Sequence, residues 1–243
     1  MPNHVTTTCA VHGAADDVQA FADRVITIAP ADHSDAGDKL FSFDAIIPMP
    51  PILREVEESS HAEQGMALII GRGSRDAPFS NLGLYPHEIA HIRREAGLPI
   101  DAHISDVAAA FLAKNPDFET KGSLRLRAIC ETKFASWYPW ALANWGTKWG
   151  AYQYVQLANT PFKFQFETAW SFPTPIFEAL SSQFPTLAFE CATFDEGWNF
   201  AGTGWFNGGP DRPSFAECKA TDELYREVYG QEPSRDDDEE DAD

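Results

Sequence analysis

The sequence predicts an α+β protein built on a ferredoxin-like antiparallel sheet, with a helical insertion and an extra hairpin and helix toward the C-terminus. Three observations predict it. A β-rich run, Val5–His12, leads into Ala14–Ile26, where Val18, Phe21, Ala22 and Val25 fall at helical spacing and give one apolar stripe. Two further β-rich runs, Ala151–Leu157 and Phe162–Thr168, are separated by the turn-forming string Ala158-Asn159-Thr160-Pro161. A well-punctuated helix then precedes a last pair of strand-like runs. With the middle of the chain set aside, the order is β-α-β…β-β-α-β-β-α. A strand–helix–strand unit followed by strands and a helix on one sheet face is the ferredoxin-like arrangement.

Taken in order, the first unit closes with Phe41–Ile47, which alternates and runs into Pro48-Met49-Pro50-Pro51, where no strand can continue. The middle, about 52–132, reads as a helical insertion. It has a Gly/Ser-rich turn at Gly71–Arg75 and helical patterns over about Pro86–Ala96, Ile104–Lys114 and Leu124–Ala143, the last with an interruption at Pro139. Beyond the hairpin, Thr174 serves as N-cap and Pro175 as first helical residue. Ile176, Phe177, Leu180 and Phe184 face the core, and Pro185 stops the helix. Leu187–Thr193 and Trp198–Phe206 follow as strands joined through Asp195-Glu196-Gly197, and a short helix, Asp222–Tyr229, closes at Gly230. This predicts a single α+β domain over 1–231. The remainder, 232–243, has a run of like charges without apolar residues and reads as a disordered acidic tail.

Composition narrows the function classes. A hydrophobic content of 44% with 13% aromatic residues supplies a real core and excludes global disorder. The formal net charge of −19 repels phosphate backbones and anionic membranes and attracts basic partners. Cys9, Cys130, Cys191 and Cys218 lie far apart with no C-x-x-C pair, which points to a reducing cytoplasm. The longest apolar runs, such as Met66–Ile70, are strand-sized and far short of the ~20 residues a membrane span needs. The expected setting is cytoplasmic, with no membrane association, no direct nucleic acid binding and no cofactor.

Several strings carry a family resemblance. They are Met1-Pro2-Asn3-His4-Val5-Thr6, Phe43-Asp44-Ala45-Ile46-Ile47-Pro48-Met49-Pro50, Asn144-Trp145-Gly146-Thr147-Lys148-Trp149, Thr168-Ala169-Trp170-Ser171, and Asp195-Glu196-Gly197-Trp198 with Phe200-Ala201-Gly202. Together they resemble the YubB-like proteins of plasmids and bacteriophages, which carry a ferredoxin-like domain and have no assigned activity. The resemblance spans roughly 1–50 and 130–230 and departs in the middle. It implies the fold, a cytosolic setting and a mobile-element origin, and it implies no catalytic residues.

Four features invite a functional reading. His87-Glu88-Ile89-Ala90-His91 matches H-E-x-x-H, in which two histidines one helical turn apart hold Zn²⁺ and the glutamate serves as general base of a hydrolase. Here Pro86 marks the helix start, and the histidines lie opposite the apolar stripe of Ile89, Ile92 and Ala96. A solvated pair is therefore the plainer reading, and no metal ligands are assigned. Phe162-Lys163-Phe164-Gln165-Phe166 is similar to the base-stacking strand of an RNA-binding sheet, but three phenylalanines on one face are also what a helix-packed sheet requires. Gly71-Arg72-Gly73-Ser74 lacks the lysine of a phosphate loop. The tryptophan-rich strings serve either as packing or as a partner surface. On the second reading Trp145, Lys148 and Trp149 are the partner-binding residues. No serine or cysteine stands in a nucleophile context, so no catalytic residue is assigned and the chain reads as more consistent with a non-enzyme. The leading expectation is a protein-binding accessory factor, possessing a basic-surfaced host or defence protein as partner. The zinc hydrolase and an acidic DNA mimic are the alternatives.

Overall fold

β-Branched residues crowd the first strand, β1 (His4–His12), and every residue from Val5 to Val11 is buried. Burial on both faces is what the centre of a sheet demands. In the computed structural model, which describes residues 3–74 and 82–233, two compact units are present: Met1–Pro48 with Ala141–Asp243, and Met49–Trp140. The insertion read at 52–132 falls inside the second of these units. The acidic tail from residue 234 on lies outside the described residues.

In the first unit β1 is followed by α1 (Ala15–Val25), the short hairpin β2 (Ile26–Ile28) and β3 (Lys39–Phe41), and α2 (Phe43–Ile46). The predicted strand Phe41–Ile47 is therefore mostly a helical turn. Ser42 accepts from the Ala45 amide through its hydroxyl at 3.2 Å, which caps that turn and overrides the alternating pattern.

In the second unit α3 (Pro51–Glu55), α4 (Ser60–Arg72), α5 (Pro86–Ala96), α6 (Ile104–Lys114) and α7 (Pro116–Thr132) bury Leu68, Ile92, Val107, Phe111 and Leu112 together. Met66–Ile70 belongs to α4, started by the hydroxyl of Ser59, so the strand-sized run is helical. Of the turn predicted at Gly71–Arg75, Gly71 and Arg72 end the helix, Gly73 turns, and Arg75 lies outside the described residues. The helix expected over Leu124–Ala143 is two. α7 ends at Lys133, whose φ of 71° is left-handed, and α8 (Trp137–Asn144) begins beyond it with Pro139 inside its first turn.

The chain returns to the first unit with β4 (Tyr152–Asn159), β5 (Phe162–Ala169), α9 (Thr174–Gln183), β6 (Ala188–Asp195), β7 (Ala201–Phe206), β8 (Ala216–Cys218) and α10 (Asp222–Tyr229). The sheet order is β4-β5-β1-β6-β7-β8, with antiparallel pairing between all neighbours. Followed along the path β1-α1-β4-β5-α9-β6, this is the ferredoxin-like split β-α-β arrangement, widened on one side by β7 and β8. The fold is α+β and ferredoxin-like, as the sequence predicts, but β4 rather than Phe41–Ile47 supplies its second strand.

One face of the sheet is aromatic. Phe21 of α1 meets Phe162, Phe164 and Phe189, and Phe177 of α9 meets Phe166 and Phe189, so both helices share that face. Phe162, Phe164 and Phe166 are buried there, which takes them out of reach of nucleic-acid bases. Cys9 and Cys191 oppose each other on the same face, and burial pushes the Cys191 thiol up. Across the sheet, α10 covers part of the other face. Its Val228 packs with Ala192 and Phe194, and Gln165 donates to the Val228 carbonyl at 3.0 Å.

Candidate functional site

The register of β1 brings the ends of several segments to one place. His4 lies opposite Ala169 of β5, and Val5 opposite Asp195 of β6. The amide of Trp170 donates to the Asn3 carbonyl at 3.0 Å, and that of Glu196 donates to the His4 carbonyl at 3.0 Å. Ser171 donates its hydroxyl hydrogen bond to the Gly146 carbonyl at 2.6 Å, and the Trp145 indole donates to the Ile47 carbonyl at 2.9 Å. The strings that carry the family resemblance, read separately along the sequence, are therefore hydrogen-bonded to one another at one end of the sheet.

Two exposed tryptophans stand at that end. Trp170, just after β5, and Trp198, in the turn between β6 and β7, are each 42% exposed, which sets them apart from the buried rings of the core. Both hold left-handed backbone, with φ of 74° and 59°. Bulky side chains rarely adopt that conformation, and strain of this kind concentrates where a surface has a job. The turn under Trp198 is built by Asp195, whose buried carboxylate accepts from the Asn199 amide at 3.1 Å and from its side chain at 2.6 Å. Trp198 stacks on Tyr225 of α10 with centroids 5.5 Å apart. Trp170 faces the ammonium of Lys148, which lies 4.7 Å from its centroid and 4.8 Å from that of Trp149.

A titratable cluster lies beside them. His4 Nδ1 is 2.7 Å from the Tyr152 hydroxyl and 3.3 Å from Glu167. Burial raises the Glu167 carboxyl above its ordinary value despite His4, and burial with the charges of Glu167, Glu196 and Asp35 pushes the Tyr152 phenol far above its own. The cluster keeps the phenol protonated and ties β1 to β5 and, across it, to β4. Glu196 is exposed and adds negative charge at the surface.

The predicted partner residues divide. Lys148 and Trp149 are partly exposed and join Trp170, whereas Trp145 is only 6% exposed and packs edge-on against Phe43. Trp145 is a core residue, because its indole satisfies the Ile47 carbonyl that ends α2. Trp170 and Trp198 are the surface residues that sequence reasoning passed over. The signal that could have found them is the hairpin register, which places both at one end of β1.

His87 and His91 sit on α5 in the second unit, and both are exposed. Glu88 is occupied as a cap, accepting from the Tyr85 amide at 2.7 Å and from Gln64 at 2.8 Å. His91 is 3.3 Å from Arg94, and among the described residues no group of three histidine, cysteine, aspartate or glutamate side chains could hold a metal ion. No helix among them is long and apolar enough to cross a membrane.

A cavity of about 1030 Å³ opens at the far end of the sheet between α1 and the β4–β5 hairpin, with Val18, Ala22, Tyr154 and Phe162 in its walls. Burial pushes the Tyr154 phenol up to about 12.

No curated protein matches the chain. Among solved structures, a crystal structure of the protein Api92 from Yersinia pseudotuberculosis overlaps 91% of this chain and 99% of its own, at 12% identity and a TM-score of 0.38. Residues 145–236, which carry β4 through α10, match the family model described as the ferredoxin-like domain in Api92-like protein.

Proposed function

We propose that this protein is a non-enzymatic binding factor that docks on the basic surface of a host or defence protein through the tryptophan-bearing end of its sheet. The observation that carries the reading is the pair Trp170 and Trp198, both exposed and both held in left-handed backbone on hydrogen-bonded turns. Large rigid rings on a fixed frame are the usual anchors of protein interfaces. Lys148 and Trp149 extend the surface, and Trp145 supports it from beneath. The net charge of −19 selects a basic partner and speeds its approach. The same charge disfavours direct contact with nucleic acid or an anionic membrane. The resemblance to plasmid and phage proteins supports a mobile-element origin, and with it a host protein as target.

The test is quantitative capture from host lysate by the full chain, by Trp170→Ala and Trp198→Ala variants, and by a chain lacking 232–243. A basic protein retained by the parent and by the tail-deleted chain, and lost from both tryptophan variants, is the expected result. With that partner purified, tail deletion should slow association modestly and added salt should slow it further. The tryptophan variants should speed dissociation by tenfold or more, about 1.4 kcal/mol. Equal retention by parent and tryptophan variants sinks the reading. A partner released by tail deletion or by competing duplex DNA brings forward the acidic DNA mimic instead.

A further inference from the structure

Resting on that reading, we infer that Trp149 and Trp170 form a binding site for the guanidinium of a partner arginine, and that Lys148 fills this site until the partner displaces it. The chain has 37 acidic side chains against 18 lysines and arginines, so a lysine has many carboxylates to choose from. Lys148 makes no ion pair among the described residues and instead places its ammonium over two indole rings, 4.8 and 4.7 Å from their centroids. Both distances fall inside the range where a ring quadrupole attracts a cation.

The walls are fixed and the occupant is not. Thr147, fully buried, donates to the Trp149 carbonyl at 2.6 Å. Gly146 has φ of 78°, and a Cβ there would lie 2.8 Å from Pro175, so the turn admits little change. Ser171 bonds that same glycine's carbonyl, and the Trp170 amide is held by Asn3. Lys148, by contrast, hangs on a flexible four-carbon stem. A guanidinium is planar, weakly hydrated and stacks on indole better than an ammonium does, so an incoming arginine can replace it. Trp170 is 42% exposed, so part of its surface reaches solvent.

Arginine amide is the probe, titrated into the full chain while the Lys148 side-chain resonances and tryptophan fluorescence are followed. Ring currents should displace the Lys148 methylene resonances in the free protein, and saturating arginine amide should return them toward ordinary positions. Lys148→Ala empties the site and should bind the probe roughly threefold to tenfold tighter, as a cation–π contact of this size implies. Lys148→Met removes the same charge but leaves a chain between the rings, and should gain less than half as much. Trp149→Leu should lose the probe. Lys148 resonances that stay put at saturation overturn the inference. So do equal gains by the Ala and Met variants, which would make the effect one of net charge alone. The two ideas fail separately. Partner capture that depends on Trp170 and Trp198 without probe binding leaves the docking reading intact and removes the arginine site. Probe binding without a captured partner does the reverse.

Discussion

Glu167 is a carboxylate in the wrong surroundings for its charge. Its side chain is 30% exposed, His4 is 3.3 Å away, and burial still raises its proton affinity above the ordinary value. The folded chain therefore holds this proton more tightly than the unfolded chain does. Between the two pKa values it is the folded state that binds more protons, so stability falls as pH rises through that interval and stays lower above it. Replacing the charge should relieve the cost. Glu167→Gln is expected to unfold about 1–3 °C above the parent at pH 8, with the gap closing near pH 4, as read from thermal circular-dichroism scans. A variant less stable by the same margin at both pH values would refute this account. At this scale the sequence is informative about types and silent about sides. It shows Trp145, Trp149, Trp170 and Trp198, but whether an indole satisfies a carbonyl at Ile47 or faces solvent depends on contacts nearly a hundred residues away.

Elements were legible where local chemistry and burial agree. α10 begins at a threonine cap whose hydroxyl accepts from the Leu224 amide at 3.3 Å and ends at Gly230 with φ of 68°, and both marks are plain in the sequence. The β4–β5 hairpin and the span of α9 were legible for the same reason, but the N-cap of α9 is Pro173 rather than Thr174, which is the first helical residue and makes no capping bond with its side chain. α4 was not legible, because Gly65 and Gly71 interrupt its apolar stripe and lower its intrinsic helix preference. Those glycines answer to packing instead. A Cβ on Gly65 would lie 1.9 Å from the Phe118 carbonyl oxygen, and one on Gly122 would lie 2.3 Å from the Gly65 backbone. α4 and α7 thus touch backbone to backbone. Alanine is favoured over glycine by about 1 kcal/mol in a free helix, and overpacking typically costs ~1–3 kcal/mol, more against an immovable backbone. Sterics should win. Gly65→Ala and Gly122→Ala are expected to lower the stability of the second unit by about 1–2 kcal/mol or more net, whereas Gly150→Ala, with nothing within 4 Å of its Cβ, should be neutral. Denaturant unfolding followed by a probe in the helical unit measures this, and an unchanged midpoint in both helix variants would show that α4 and α7 are not packed so closely.

At the scale of the whole molecule, periodicity reports which segments are helical or extended, and it does not report which of them share a core. The insertion read at 52–132 lies inside the unit Met49–Trp140, whose limits the contacts draw and periodicity does not. The departure and return points explain how a unit can be interrupted without harm. Within the first unit, the Trp145 indole bonds the Ile47 carbonyl at 2.9 Å, and the Trp145 amide bonds the Ala141 carbonyl at 2.8 Å. The chain therefore leaves and re-enters this unit within a few residues' reach, since each residue of linker spans about 3.5 Å. All the strands of the sheet, α1, α9, α10 and the exposed tryptophans belong to that unit. Domains with adjacent ends tolerate excision and insertion. A chain in which a flexible linker of about six residues replaces Met49–Trp140 should thus fold cooperatively, with dispersed amide resonances and a single unfolding transition. It should also bind arginine amide as the full chain does, because Lys148, Trp149 and Trp170 keep their frame. A collapsed spectrum without dispersion would mean that the sheet needs the helical unit to fold. A folded product that has lost the probe would place part of the arginine site in residues 49–140.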